Sequence, residues 1–369
     1  METPSTPAET PENQENQGSR QLQQMQQQGL LSPANRAALE PVAERFGVAI
    51  TPHMAGRIDL QNPADPVAAQ FVPDARELRL QTGELSDPIG DHRHMPVKGI
   101  IHRYPDRVLF TPVHVCPVYC RFCFRREDVG SQPLLSEAEL AAALDYIRQD
   151  PGIWEVILSG GDPLVLSPRR LQQLLTELRT IDHVKVIRIH TRVPVVSPER
   201  VTAELIDVLR TAQPLYIVLH TNHVQEFDEQ AVRTCHALAD AGLPLLSQTV
   251  LLKDINDSAD TLETLFRFLI ENRIRPYYLH HADQARGTAH FRTTLAEGQA
   301  ITDELRGRIS GLCQPQYVID IPGGHGKSPA GSNWVSASGN GYRIRDYTGS
   351  EHYFADNTAE EVTQTRAKA

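Results

Sequence analysis

The chain has no apolar run approaching the length of a membrane span, so none of its 369 residues predicts a transmembrane helix. It shows no secretory leader and has only five cysteines, three of them crowded together, which argues against a disulfide framework. It also lacks a basic surplus, and a formal charge of −10 argues against a broad nucleic-acid-binding surface. Together these absences predict a soluble protein of the reducing cytoplasm. A chain of this length can bury a large core, as one barrel-sized domain with appendages or as two domains.

Three of the five cysteines lie in Cys116-Pro-Val-Tyr-Cys120-Arg-Phe-Cys123. The C-x₃-C-x₂-C spacing predicts a [4Fe–4S] cluster held at three irons, with the fourth iron open to a small molecule. A four-cysteine cluster stores an electron, whereas an open iron can pass it to a bound cosubstrate, so the missing ligand points to catalysis. Structural zinc would need a further protein ligand, for which His114 is the candidate. A disulfide would leave one of the three thiols unpaired. The run Arg107-Val-Leu-Phe-Thr-Pro-Val113 is a predicted strand leading into this loop, and Tyr119, Phe122 and Phe124 are placed to wall the cluster from water. Cys235, on a helical pattern, and Cys313, near a helix end, read as buried structural thiols.

Along the chain, residues 1–28 are rich in Gln, Pro, Glu and Thr and read as a disordered tail. Residues 29–100 form an N-terminal wrap in which Ser32 caps a helix over Ala34–Phe46. From Arg107 onward, apolar strands near 107–113, 154–158, 184–189, 215–219, 245–251 and 276–280 alternate with helices. The helices lie near 136–149, 168–180, 199–211, 228–241, 259–271 and 296–311. Such βα repeats predict a parallel sheet covered by helices over 101–315, and periodicity alone allows either a partial barrel or a doubly wound sheet. Residues 316–356 carry a last strand, 317–320, a glycine-rich loop and a hairpin of Trp334–Ser336 with Tyr342–Asp346. The tail 357–369 is polar and expected to be loose.

Two glycine-rich turns stand out. Ser159-Gly160-Gly161-Asp162 follows a strand, where glycines let the backbone approach a ligand closely, although βα turns often carry Gly-Gly. Pro322-Gly-Gly-His-Gly-Lys327-Ser328 fails the phosphate-loop spacing, because Ile321 stands where glycine is needed. Lys327 then reads either as a surface lysine in a turn or as a mobile lysine that binds pyridoxal phosphate (PLP) covalently.

In type and order these motifs resemble the lysine 2,3-aminomutase family of the radical S-adenosylmethionine (SAM) enzymes. Their hallmark is C-x₃-C-x-Φ-C, and Phe122 fills the aromatic position. Arg103-Tyr-Pro-Asp-Arg107 and Cys123-Phe-Arg-Arg126 resemble family stretches as well, and the likeness covers about residues 31–355. It implies a partial (β/α)₆ TIM-like barrel of the radical SAM type, with an N-terminal helical wrap and a short C-terminal β extension. It further implies that Cys116, Cys120 and Cys123 bind the cluster, and that Gly160, Gly161 and Asp162 hold the methionyl amino group of SAM. Gln248 would lie near SAM and PLP, and His220 is either a further contact or a satisfied core histidine. Lys327 would carry PLP, with Arg103 on its phosphate and Arg107 beside it. Arg125 matches the position that binds the substrate α-carboxylate, while Asp283 and Asp320 match the pair that grips a distal ammonium. Unpaired charge in a dry site is costly, so these three favour a cationic amino acid over glutamate.

The implied activity is interconversion of L-lysine and β-lysine through a 5′-deoxyadenosyl radical, with a [4Fe–4S] cluster, SAM and PLP, and flavodoxin or ferredoxin as reductant. Alternatives are the related mutase that makes β-lysine for elongation factor P, a mutase of glutamate or another amino acid, and a metal-binding protein without SAM chemistry. Two departures from the family pattern stand out. His325 replaces a loop glycine and is expected to stiffen the loop. Ser258 follows Ile255-Asn-Asp257, and no cysteine follows Cys313, so any homo-oligomer must lack the family's interfacial zinc.

Overall fold

Apolar strands buried on both faces dominate the middle of the chain. In the computed structural model, which describes residues 11–130, 134–212 and 214–356, nine strands form one sheet in strict chain order. They are β1 (Ile100–Tyr104), β2 (Arg107–Val113), β3 (Glu155–Gly160), β4 (Val186–Thr191), β5 (Leu215–His220), β6 (Leu245–Leu251), β7 (Ile274–His281), β8 (Gln316–Asp320) and β9 (Lys327–Pro329). Strands β2 to β8 run parallel, and β1 and β9 add antiparallel edges. The order never reverses, so there is no topological switch point, and the doubly wound alternative falls away in favour of a curled partial barrel.

The inner β3 shows why the sheet is two-sided: Val156, Ile157 and Leu158 are buried in succession, as covered parallel strands require. β6 alternates instead, and its half-buried Gln248 and Val250 face the barrel interior. Outer helices present one apolar stripe each. Pro168–Arg179 buries Leu171, Leu174, Leu175 and Leu178, and its N-cap Ser167 accepts the Arg170 N–H. Ser136 and Thr294 form capping boxes with Glu139 and Glu297 at two other helix starts.

The curl brings the two sheet edges together. The backbone N–H of Lys327 on β9 donates to the Tyr104 hydroxyl on β1 at 2.7 Å, so a side-chain bond spans the gap that strand pairing leaves. Neither edge strand was legible as such. β1 is joined to β2 by the two-residue turn Pro105-Asp106, and β9 is only three residues long.

The N-terminal segment differs from the expected disordered tail. Pro11–Gln27 is a helix, and its Leu22 and Met25 are fully buried against Leu39, Val42 and Phe46 of the following segment. A polar composition concealed this, because two apolar side chains suffice when a second helix, Pro33–Arg45, packs alongside. Residues 1–10 of that tail and the expected loose end, 357–369, lie outside the described residues. The expected C-terminal hairpin is a three-stranded antiparallel sheet of β10 (Val335–Ser338), β11 (Gly341–Arg345) and β12 (Glu351–Ala355). Among the described residues, no helix is long and apolar enough to cross a membrane.

Candidate active site

One cavity of about 580 Å³ opens inside the curl, and every residue to which the family likeness assigns a role lines it. Cys116, Cys120, Cys123 and Arg125 come from the loop after β2, and Gly160, Gly161 and Asp162 from the turn after β3. His220 ends β5, Gln248 lies on β6, and Asp283 follows β7. Asp320 and Lys327 face each other across β8 and β9, while Arg103 and Arg107 sit on β1 and β2.

The cysteine loop has no regular structure of its own and is tied to the N-terminal wrap. Tyr119 N–H donates to Ala49 O at 2.9 Å and Arg121 N–H to Gln70 O at 2.8 Å. Beneath it, the fully buried Glu77 accepts from Arg121 Nε at 3.0 Å and Nη2 at 2.5 Å, and also from Arg126 Nη2. Burial alone would raise the Glu77 carboxyl, but the two guanidiniums outweigh it and hold it below its ordinary value. Phe122 and Phe124 line the cavity as expected. Tyr119 does not: it packs on Gly47 and Gly130, where a Cβ would approach its ring to about 2.7 Å.

All three cysteines are free and half-buried as residues, with their sulfur atoms turned inward at Cys116 and Cys123. Burial first, and then the neighbouring Cys120, pushes Cys123 up to about 11; burial first, and then Asp162, drives Cys116 well above the thiol range. Such thiols need a cation to become thiolates, a role that cluster iron would fill. Arg192, buried, donates to Cys120 Sγ at 2.8 Å and to Glu226 at 2.6 Å. Among the described residues no three His, Cys, Asp or Glu side chains close on a single ion-sized point. A cluster whose cysteines each bind a different iron does not ask them to.

The Gly160-Gly161 turn is needed for packing as well as for any ligand. Gly160 has φ +101°, and a Cβ on Gly161 would lie 2.5 Å from the backbone N and O of Val115. Gly161→Ala is therefore expected to push the cysteine loop outward and lower the iron bound on reconstitution by severalfold, read by iron content against total protein. Asp162 is better placed to hold this turn than to meet a ligand. Its Oδ1 accepts from Thr191 Oγ1 at 2.7 Å and Leu164 N at 3.0 Å, and its Oδ2 from Arg192 N at 2.7 Å and Val193 N at 3.2 Å. Those four bonds use the acceptor capacity of a carboxylate.

At the opposite side Lys327 Nζ sits 2.7 Å from both oxygens of Asp320. Burial would raise the Asp320 carboxyl, but the His280 imidazole, 3.6 Å away, and the Lys327 ammonium bring it far below the carboxylate range. Its neighbour Asp283 goes the other way. Burial first, and then the Asp320 charge, pushes it up to about 7. The loop before Lys327 is held by Arg93 Nη1 on Gly323 O at 2.6 Å and His94 Nε2 at 2.8 Å from Gly324 O. Gly323, Gly324 and Gly326 have positive φ, whereas His325 does not and its side chain is exposed, so it replaces a glycine without constraining the loop.

Arg107 stacks 3.9 Å over the Tyr104 ring and pairs with Asp106, half open to solvent. Arg103 is more enclosed: Nη2 donates to Ile89 O at 2.7 Å and to Asp91 Oδ1 at 2.9 Å, while its buried Nε has no partner. His220 Nε2 and His190 Nε2 are likewise buried without partners, and burial holds both imidazoles well below their ordinary values. Buried polar atoms without a protein partner that line a cavity suit a bound ligand rather than a sealed core. Sequence reasoning missed Glu77, Asp91, His190, Arg192 and His280. An acidic residue near several arginines was visible for Asp91, but its pairing with Arg125 spans 34 positions.

The Radical SAM superfamily model matches residues 110–269. The L-lysine 2,3-aminomutase of Acetoanaerobium sticklandii is 41% identical, covering 86% of this chain and 78% of that one. That of Clostridium subterminale is 42% identical over 82% of this chain and 73% of its own. A glutamate 2,3-aminomutase of Clostridioides difficile is 34% identical over 90% of this chain and 79% of its own. With its cysteine loop, curled sheet and glycine-loop lysine gathered round one cavity, the chain belongs to the L-lysine 2,3-aminomutase family of radical SAM enzymes.

Proposed function

We propose that the protein is an L-lysine 2,3-aminomutase that interconverts L-lysine and β-lysine. The observation that carries this reading is the pair of carboxylates, buried Asp320 and half-buried Asp283, in a cavity that also holds Arg125. Asp320 already accepts an alkylammonium, that of Lys327, on both oxygens. A lysine substrate offers the same group at its far end, and its α-carboxylate matches Arg125. Glutamate would place its distal carboxylate against these two, and juxtaposed like charges cost several kcal/mol. The relatives named for lysine are also more similar to this chain than the one named for glutamate.

The family's [4Fe–4S] cluster and SAM supply a 5′-deoxyadenosyl radical when bound, and PLP supplies a conjugated system that spreads it. In this reading Cys116, Cys120 and Cys123 bind the cluster. The backbone of Gly160 and Gly161 approaches SAM, while Asp162 fixes their turn from behind. Gln248 would lie near SAM and PLP, with His220 as a further contact. Lys327 is the attachment point of PLP, Arg103 receives the phosphate, and Arg107 supports it from the rim. The walls of the curled sheet exclude water, so a radical formed inside meets substrate first. A flavodoxin or ferredoxin in the cytoplasm would provide the electron.

Anaerobic reconstitution with iron, sulfide, PLP, SAM and dithionite, followed by assay of L-lysine, tests the function. β-Lysine is the expected product and glutamate is expected to be inert. No conversion by enzyme with intact cluster and bound PLP would overturn the assignment. Acid should weaken substrate binding before it harms the fold. Asp283 is neutral below its raised value of about 7, so one of the two charges facing the ammonium is lost. The lysine KM is expected to rise about tenfold between about pH 8 and about pH 6, and Asp283→Asn should flatten that dependence.

A further inference from the structure

Between the two arginines read as anion sites lies a carboxylate that neither site assignment includes. Asp91 is 6% exposed and lines the cavity. It is fixed from behind by Asp87, whose Oδ1 accepts the Asp91 N–H at 2.8 Å. Its own Oδ1 accepts from Arg103 Nη2 at 2.9 Å, and its Oδ2 accepts from Arg125 Nε at 2.8 Å with Arg125 Nη2 in ion-pair contact at 2.8 Å. The two guanidiniums come from unconnected elements, β1 and the cysteine loop, and Asp91 bonds to both.

One carboxylate cannot serve two cations fully and still leave each open to its own anion. An anion on Arg125 releases Asp91 toward Arg103, where it competes with phosphate. An anion on Arg103 turns Asp91 toward Arg125 in the same way, since coupling between two sites is reciprocal. We propose that Asp91 is a positioning residue, the shared counter-ion through which the cofactor-phosphate and substrate-carboxylate sites sense each other. This rests on the reading of Arg103 and Arg125 given above.

A mutant cycle on the full-length, cluster-reconstituted enzyme tests it, with the PLP dissociation constant read from absorbance of the Lys327 adduct. Arg125→Gln removes a group that does not touch PLP, yet it is expected to weaken PLP binding about tenfold, because Asp91 then turns wholly to Arg103. In an Asp91→Asn background the same change should shift it by less than about twofold. Asp91→Glu keeps the charge and should preserve the full Arg125→Gln effect. Should Asp91→Asn fail to fold, judged by circular dichroism and iron content, Asp91→Ala takes its place in the cycle. Equal effects of Arg125→Gln in both backgrounds, or none in either, overturn the role of Asp91. The underlying reading has its own checks: Arg103→Gln must weaken PLP binding and Arg125→Gln must raise the lysine KM. Failure of either removes the site assignments, whereas their success without coupling removes Asp91 alone.

Discussion

Replacing Lys327 with arginine is expected to abolish covalent attachment of PLP and to lower lysine turnover at least about 10³-fold. Arginine is the informative choice because it keeps a cation opposite Asp320, where Lys327 Nζ now lies 2.7 Å from both oxygens. A guanidinium does not deprotonate near neutral pH and so cannot become the nucleophile that a PLP aldehyde requires. The Lys327 N–H bond to Tyr104, which spans the sheet edges, belongs to the backbone and survives the change. The variant should therefore fold, bind iron and cleave SAM reductively while failing at the amino-acid step. Borohydride reduction followed by peptide mass mapping reads the attachment directly. A PLP adduct found on another lysine of the variant, with turnover retained, would sink the assignment.

Glu77→Gln should produce the largest loss of stability, about 3–5 kcal/mol. The Glu77 side chain is wholly buried and is the carboxylate that Arg121 and Arg126 both contact. Neutralising it leaves two guanidiniums in a dry environment, and Arg121 is itself only 1% exposed. Because those arginines flank Cys123 in the loop, the defect should appear at the site as well. Iron content after reconstitution is expected to fall together with the unfolding midpoint, whereas PLP attachment on the far strands persists. Glu77→Asp, which keeps the charge but shortens the reach, should lie between. Normal iron content in a clearly destabilised Glu77→Gln protein would show that the wrap does not position the cluster loop.

Much of the site was legible because its chemistry is local in sequence. Three cysteines within eight residues need no fold to announce a cluster, and the six alternating strand–helix units follow from hydrophobic periodicity. The glycine pattern around Lys327 was likewise visible, and the positive φ values of Gly323, Gly324 and Gly326 give its physical reason. Other features were hidden for equally physical reasons. The N-terminal helix contributes only Leu22 and Met25 among its described side chains to the buried set, too few for a periodic signal. Glu77 reaches Arg121 across 44 positions and Asp91 reaches Arg125 across 34, distances at which no spacing rule operates.

By itself the sequence determined the cluster motif and the repeat of strand and helix, because thiol spacing and apolar periodicity act over a few residues. Only the tertiary structure decided that the sheet curls instead of reversing, so that Tyr104 on the first strand meets Lys327 on the last. It alone decided which ions share a partner, since a buried charge takes its counter-ion from whatever the fold brings close, not from what is near in the chain.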